Sequence, residues 1–143
     1  MSIFRHTRYL PAAPAAVFAA ISDPARLARW WGPDGFTNTF HTFDFRPGGA
    51  WLFTMHGPDG TDYPNQSAFA EIAQDARVRI THVNLPHFEL VIDLTPEGEG
   101  THLSWVHVFE NQTFAESMRG FLEGANEQNL DRLQREVAAG TVA

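Results

Sequence analysis

The stretch AWLFTMHGPDGTDYPNQSAFAEI, residues 50–72, decides the fold. Its centre, Gly57-Pro58-Asp59-Gly60, is a turn: proline presets one turn angle and glycine accepts the left-handed angles that other residues resist. The run Ala50 to His56 precedes it and the run Tyr63 to Ile72 follows. Side chains alternate across a strand, so Trp51, Phe53 and Met55 share one face. A short turn joins antiparallel strands, whereas a parallel pair needs a long crossover. The stretch is therefore a hairpin with one strongly apolar face.

The same grammar continues from Phe36 until Thr113, with no helical period between them. Turns at Gln74-Asp75, at Leu85-Pro86 and from Pro96 to Gly100 bound the runs Arg77 to Val83, Phe88 to Leu94 and Thr101 to Phe109. The inward sets read as Val78, Ile80 and His82; Phe88, Leu90, Ile92 and Leu94; and Leu103, Trp105, His107 and Phe109. Arg77, Arg79, Glu89, Asp93, His102 and Ser104 fall on the opposite, solvated face. The whole is an antiparallel meander. Before it, Ile3 to Leu10 reads as an opening strand. Pro14 suits the first turn of a short helix carrying Val17, Phe18 and Ile21, and Ser22-Asp23 before Pro24 starts a second helix through Leu27 to Trp31. Gly32 and Pro33 stop it.

After the strands, Phe114, Met118, Phe121, Leu122, Ala125, Leu133 and Val137 recur at three- and four-residue steps, which predicts one long amphipathic helix from Thr113 to about Ala138. Gly120 and Gly124 within it point to close packing or to room beside the helix. A sheet with one apolar face needs a partner, and this helix carries the only long apolar stripe. The expected fold is α+β: a curved antiparallel sheet wrapped around a long C-terminal helix, with two short helices after the first strand, residues 1–143 forming one domain.

Composition narrows the chemistry. The chain has 143 residues, enough for a sizeable core without staples. It has no Cys, so disulfides, thiolate nucleophiles and Cys-ligated metals drop out, and the cytoplasmic compartment is expected. All ten basic residues are Arg; without Lys there is neither a Schiff base nor a phosphate-gripping P-loop. A net charge of −7 with scattered arginines argues against nucleic acid. The apolar stretch Leu10 to Ile21 is interrupted by Pro11 and Pro14 and is too short to span a membrane, so no targeting segment or span is expected.

Seven histidines invite a metal reading, yet none makes an HxH, HxxxH or HExxH pair, and His102 and His107 lie on opposite strand faces; no metal is expected. No GxSxG elbow is present, and Gly98-Glu99-Gly100 reads as a hairpin turn, not a dinucleotide site; no cofactor is expected. Pro47-Gly48-Gly49 reads as a bulge or sheet bend in preference to a flexible rim. Trp30 and Trp31 either anchor packing or gate an opening.

The inner face mixes large apolar groups with His82 and His107, and a buried polar side chain needs a partner or a wet pocket. Ligand sites combine an apolar lining with a few convergent polar groups. The candidate pocket residues are Trp51, Phe53, Met55, Ile80, His82, Leu90, Trp105, His107, Met118 and Phe121, with Met55 and Met118 facing each other across it. Complete filling by aromatic packing is the competing reading.

Three segments carry a family resemblance: Trp30-Trp31-Gly32-Pro33-Asp34-Gly35-Phe36-Thr37-Asn38, Phe43-Asp44-Phe45-Arg46-Pro47-Gly48-Gly49-Ala50-Trp51, and Met55-His56-Gly57-Pro58-Asp59-Gly60 with Tyr63-Pro64. With Glu123-Gly124-Ala125 and Leu130-Asp131-Arg132-Leu133, they resemble the bacterial proteins named after the activator of heat-shock-protein-90 ATPase, in the START-like (SRPBCC) superfamily. The resemblance implies a helix-grip fold with a cavity that takes a hydrophobic small molecule; some superfamily members are cyclases, dehydratases or hydrolases. Fold does not fix function. Three readings follow: binding of an apolar or amphipathic molecule between sheet and helix; a cyclase or hydrolase using His82 and His107; and a co-chaperone-type interaction module. Residues 1–143 read as this domain alone, without the further N-terminal domain of the eukaryotic activators, so a chaperone partner is the less favoured expectation.

Overall fold

The computed structural model describes residues 1–141. The order is β1 (Ser2–Leu10), α1 (Pro14–Ser22), α2 (Pro24–Trp30), β2 (Thr37–Phe43), β3 (Ala50–His56), β4 (Asp62–Ala73), β5 (Arg77–His82), β6 (Phe88–Glu97), β7 (Gly100–Phe109), α3 (Gln112–Ser117) and α4 (Arg119–Thr141). The strands form one antiparallel sheet in the order β1-β7-β6-β5-β4-β3-β2. The expected α+β class and meander are as observed. β6 and β7 extend further than their apolar runs: Glu97 pairs with Gly100, so Gly98 and Glu99 alone make the turn, and Pro96 belongs to the strand.

Local chemistry accounts for the short helices. Pro14 and Pro24 occupy first-turn positions where a missing N–H costs nothing, and the Asp23 carboxylate accepts from Ala25 N at 3.0 Å. Trp30 is buried and donates its indole N–H to Ala20 O at 2.8 Å, tying α2 to α1. Trp31 lies 4.9 Å from Trp51 and 6.1 Å from Trp105, ring centre to ring centre. The tryptophan pair is thus a packing anchor, although Trp31 also reaches the inner space described below.

The Pro47-Gly48-Gly49 segment is a structural corner. Gly48 N donates to Phe69 O at 2.6 Å and Phe69 N donates to Gly49 O at 2.9 Å, stitching the β2–β3 turn onto β4. A Cβ on Gly49 would collide with the Asp44 carbonyl oxygen and press on that of Arg46. Gly49→Ala is therefore expected to cost about 1 to 3 kcal/mol, as overpacking does. Thermal melts of the variant and wild type check this; matching midpoints would mean that the corner yields freely.

The C-terminal helix differs from expectation in two ways. First, it is interrupted at Met118, whose N–H lies 3.2 Å from both Phe114 O and Ala115 O, in a tightened turn. Ser117 Oγ donates to Phe114 O at 2.7 Å and competes for a helical carbonyl, and Gly120 follows with little helix preference of its own. Asn111, not Thr113, starts the first piece, accepting from Phe114 N at 3.0 Å. Second, the packed stripe matches only in part: Leu133 and Val137 pack as expected, whereas Phe114 and Phe121 do not. Leu130, Leu133 and Val137 are buried in the main core, with α4 packed on α1, α2 and β1, while Phe114 and Phe121 are 37% and 60% exposed. Gly120 and Gly124 face open space, so close packing does not explain them.

Candidate functional site

Because the first turns of α4 stand off the sheet, a cavity of about 670 Å³ remains between the concave face and the helices. Nine of the ten expected pocket residues line it. Phe53 and Met55 come from β3, Ile80 and His82 from β5, Leu90 from β6, Trp105 and His107 from β7; Met118 and Phe121 approach from the helical side. Met55 and Met118 therefore border one space from opposite elements. Trp51 does not line it. Its ring is wholly buried, stacked 4.2 Å from Phe53 and 5.7 Å from Phe69, and it fills the end of the sheet that Trp31 covers. Alternation fixes the face of Trp51 but not its depth along the strand.

Strands also supply Tyr63, Asn65 and Ser67 from β4, Phe88 from β6 and Phe109 from β7, and the rest of the lining comes from segments that strand alternation does not address. Gly32, Pro33 and Phe36 belong to the α2–β2 connection, and Leu85 and Pro86 to the β5–β6 loop. Asn126 and Asn129 come from α4, at the same face as Leu130 and Leu133. A polar residue on an otherwise apolar stripe was the available signal. Asn129 is fully engaged: Nδ2 donates to Trp30 O at 2.9 Å and Oδ1 accepts from Gly32 N at 3.2 Å. Beside it, Arg132 donates to the carbonyls of Arg29, Trp31, Gly32, Pro33 and Phe36 at 2.7 to 3.2 Å. These two side chains of α4 shape the Gly32–Phe36 rim of the cavity.

The two inner histidines differ. His82 Nδ1 lies 2.7 Å from Pro86 O and its Nε2 2.7 Å from Asn65 Oδ1, two acceptors of which a neutral ring donates to one. Burial lowers its pKa, against the Pro86 hydrogen bond, which raises it. Both nitrogens thus face protein oxygens, one on the β5–β6 loop and one on β4. Neither nitrogen of His107 has a hydrogen-bond partner in the protein. Burial pushes its pKa down to about 3, opposed by the neighbouring Asn126 amide. The Phe88 ring stacks on His82 at 4.4 Å and meets His107 edge-on at 4.5 Å, between the two imidazoles. Such histidines are neutral at ordinary pH. A group with a pKa of about 3 is a weak base, and the committed His82 has no free nitrogen to offer a water.

Asn126 Oδ1 accepts from the Trp105 indole at 3.1 Å, while its Nδ2 is buried without a partner. No Arg borders the cavity, and Asp62, at its rim, is paired with His56 at 2.6 Å. Among the described residues, no three His, Asp or Glu side chains cluster as a metal site, and no helix is long and apolar enough to cross a membrane.

Against known proteins, the family described as Activator of Hsp90 ATPase homolog 1-like protein matches residues 11–138. No curated protein matches significantly. Among solved structures, a Chromobacterium violaceum protein is 26% identical with a TM-score of 0.84, over 94% of this chain and 96% of its own. The AHSA1 protein from Silicibacter pomeroyi is 25% identical with a TM-score of 0.80, over 96% and 99%. An Arthrobacter aurescens protein, at 23% identity, shares the fold with a TM-score of 0.87 over 96% and 86%.

Proposed function

We propose, for a chain that belongs to the Activator of Hsp90 ATPase homolog 1-like family, that it binds an apolar or amphipathic small molecule in the cavity between sheet and helix. One observation carries this reading: the concave face leaves about 670 Å³ of space walled by Phe53, Met55, Ile80, Leu90, Trp105 and Met118. Small-molecule sites occupy roughly 300 to 1,000 Å³ and are mostly apolar with few polar groups. Packing to ordinary interior density leaves few voids larger than a water, so complete aromatic filling does not describe this interior. Transfer of an apolar ligand into such a space contributes about 25 cal/mol per Å² removed from water.

The test fills the space from within. Met118→Trp is expected to abolish binding of the uncharged fluorescent probe N-phenyl-1-naphthylamine while changing stability by less than about 1 kcal/mol, because the added ring enters free volume. In a packed core the same change would cost about 1 to 3 kcal/mol. Probe titration and thermal melting are measured together. A wild type that never binds the probe, joined to a strongly destabilised variant, defeats the reading. Native mass spectrometry of freshly purified protein adds a direct check, since a retained ligand would appear as added mass.

A further inference from the structure

We infer that the cavity selects uncharged amphiphiles with a terminal hydroxyl, anchored by His107 and Asn126, over carboxylates of the same chain length; this rests on the proposed binding function. The first argument is electrostatic. The lining contains no Arg, the chain has no Lys, and the one charged side chain at the cavity is the acidic Asp62. An anion moved into this space would leave water without a counter-ion, which buried charges require. Nor do the histidines supply one, since burial keeps both neutral.

The second argument is hydrogen-bonding capacity. Both ring nitrogens of His107 and Nδ2 of Asn126 are buried without protein partners, and both residues border the cavity. A neutral imidazole offers one acceptor and one N–H; the amide offers an N–H. A hydroxyl both donates and accepts, so it can give its hydrogen to the imidazole and receive one from Asn126. A carboxylate can only accept, so it takes an N–H from the imidazole or from Asn126 but leaves the imidazole acceptor without a donor. An alkyl terminus would leave all three nitrogens unsatisfied. The nitrogens are closed to water, so binding requires the His107 and Asn126 side chains to turn toward the cavity, at the expense of the Trp105–Asn126 hydrogen bond. His82, with both nitrogens engaged, is not the anchor.

The experiment is displacement of N-phenyl-1-naphthylamine at pH 7.5 by 1-decanol, decanoate and 1-chlorodecane, using wild type, His107→Leu and His107→Gln. Decanol is expected to compete at about tenfold lower concentration than decanoate, one tenfold step being about 1.4 kcal/mol. The decanol-to-chlorodecane preference of the wild type should fall about tenfold in His107→Leu and recover in part in His107→Gln. Equal competition by decanoate overturns the charge selection. A decanol preference unchanged in His107→Leu overturns the anchor, with the cavity reading intact because the probe still binds. Absence of probe binding in the wild type defeats the underlying function and this inference with it. Melting curves identify a variant that fails to fold, and the His107→Gln comparison then decides.

Discussion

Arg132→Met is expected to lower stability by about 3 to 5 kcal/mol and to remove probe binding, although Arg132 touches no expected pocket residue. Hydrogen bonds from a charged donor contribute about 1.5 to 3 kcal/mol each, and carbonyls left buried without a donor cost more than the bond was worth. The Arg132 guanidinium serves five carbonyls, four of them part-buried and that of Arg29 exposed, from Arg29 near the end of α2 to Phe36 just before β2. Gly32 and Gly35 both take left-handed backbone angles there, at φ +96° and +84°, and so turn successive carbonyls toward one point. Burial lowers the pKa of Arg132, with Asp34 opposing, but an arginine keeps its charge at any ordinary pH. Arg132→Lys should recover little, because three donors on a point ammonium cannot match a planar fork. Urea melts of both variants give the number; a loss below about 1 kcal/mol in Arg132→Met would mean that water replaces the guanidinium and that the rim organises itself.

A second large effect follows from His107. Its folded pKa is held to about 3 by burial, whereas an exposed histidine titrates near 6.5. Between these values the unfolded chain binds a proton that the folded protein refuses. The stability present above pH 6.5 is therefore lost progressively as pH falls towards 3. By pH 5 this one group costs about 2 kcal/mol, and by pH 4 about 3 kcal/mol, as orders of magnitude. His82 is shifted in the same direction and adds to the slope. Glu116, held down to about 2 by Arg119 and Ser2, loses its contribution as pH falls through the ordinary carboxylate range towards that value, and Asp59 and Glu136, lowered in the same direction, likewise lose theirs from that range downward. The window from pH 6.5 to 5 thus isolates the histidines. His107→Leu should match or exceed wild-type stability at pH 7, since it replaces unsatisfied polar atoms with apolar ones, and should show a shallower loss on acidification. Chemical denaturation across that window measures it, and parallel curves for the two proteins would refute the assignment.

The strands were legible because alternation states directly which side chains share a face. Ile80, Leu90 and Trp105 could be placed on the concave side from their parity alone. Alternation is silent about depth, so Trp51 was grouped with Phe53 although it lies beyond the cavity floor. The helix was read from its apolar residues, which drew the stripe through Phe114 and Phe121. The real inner face carries Asn126, Asn129 and Leu130, and two amides in that face obscured its hydrophobic period. Arg132 gave no sign in the sequence of the carbonyls it gathers, because those partners lie about a hundred residues away and are backbone atoms. The break at Met118 depends on Ser117 taking a carbonyl of its own turn, a contact that periodicity does not register.

The sheet order also sets a timetable for synthesis. β3 through β7 each pair with the strand made just before, so their hairpins can close as the chain emerges. β1 is translated first but belongs beside β7, with Leu10 opposite Thr101 and Ser2 opposite Phe109. At about 5 to 20 residues per second, this strand waits roughly 5 to 20 s for its neighbour. Throughout that interval Phe4 and Leu10, both fully buried at the end, have nowhere to go. Nascent chains stalled before residue 100 should therefore present an unpaired, protease-sensitive N-terminal segment, and the last strand to be made is the one that finally shelters the first.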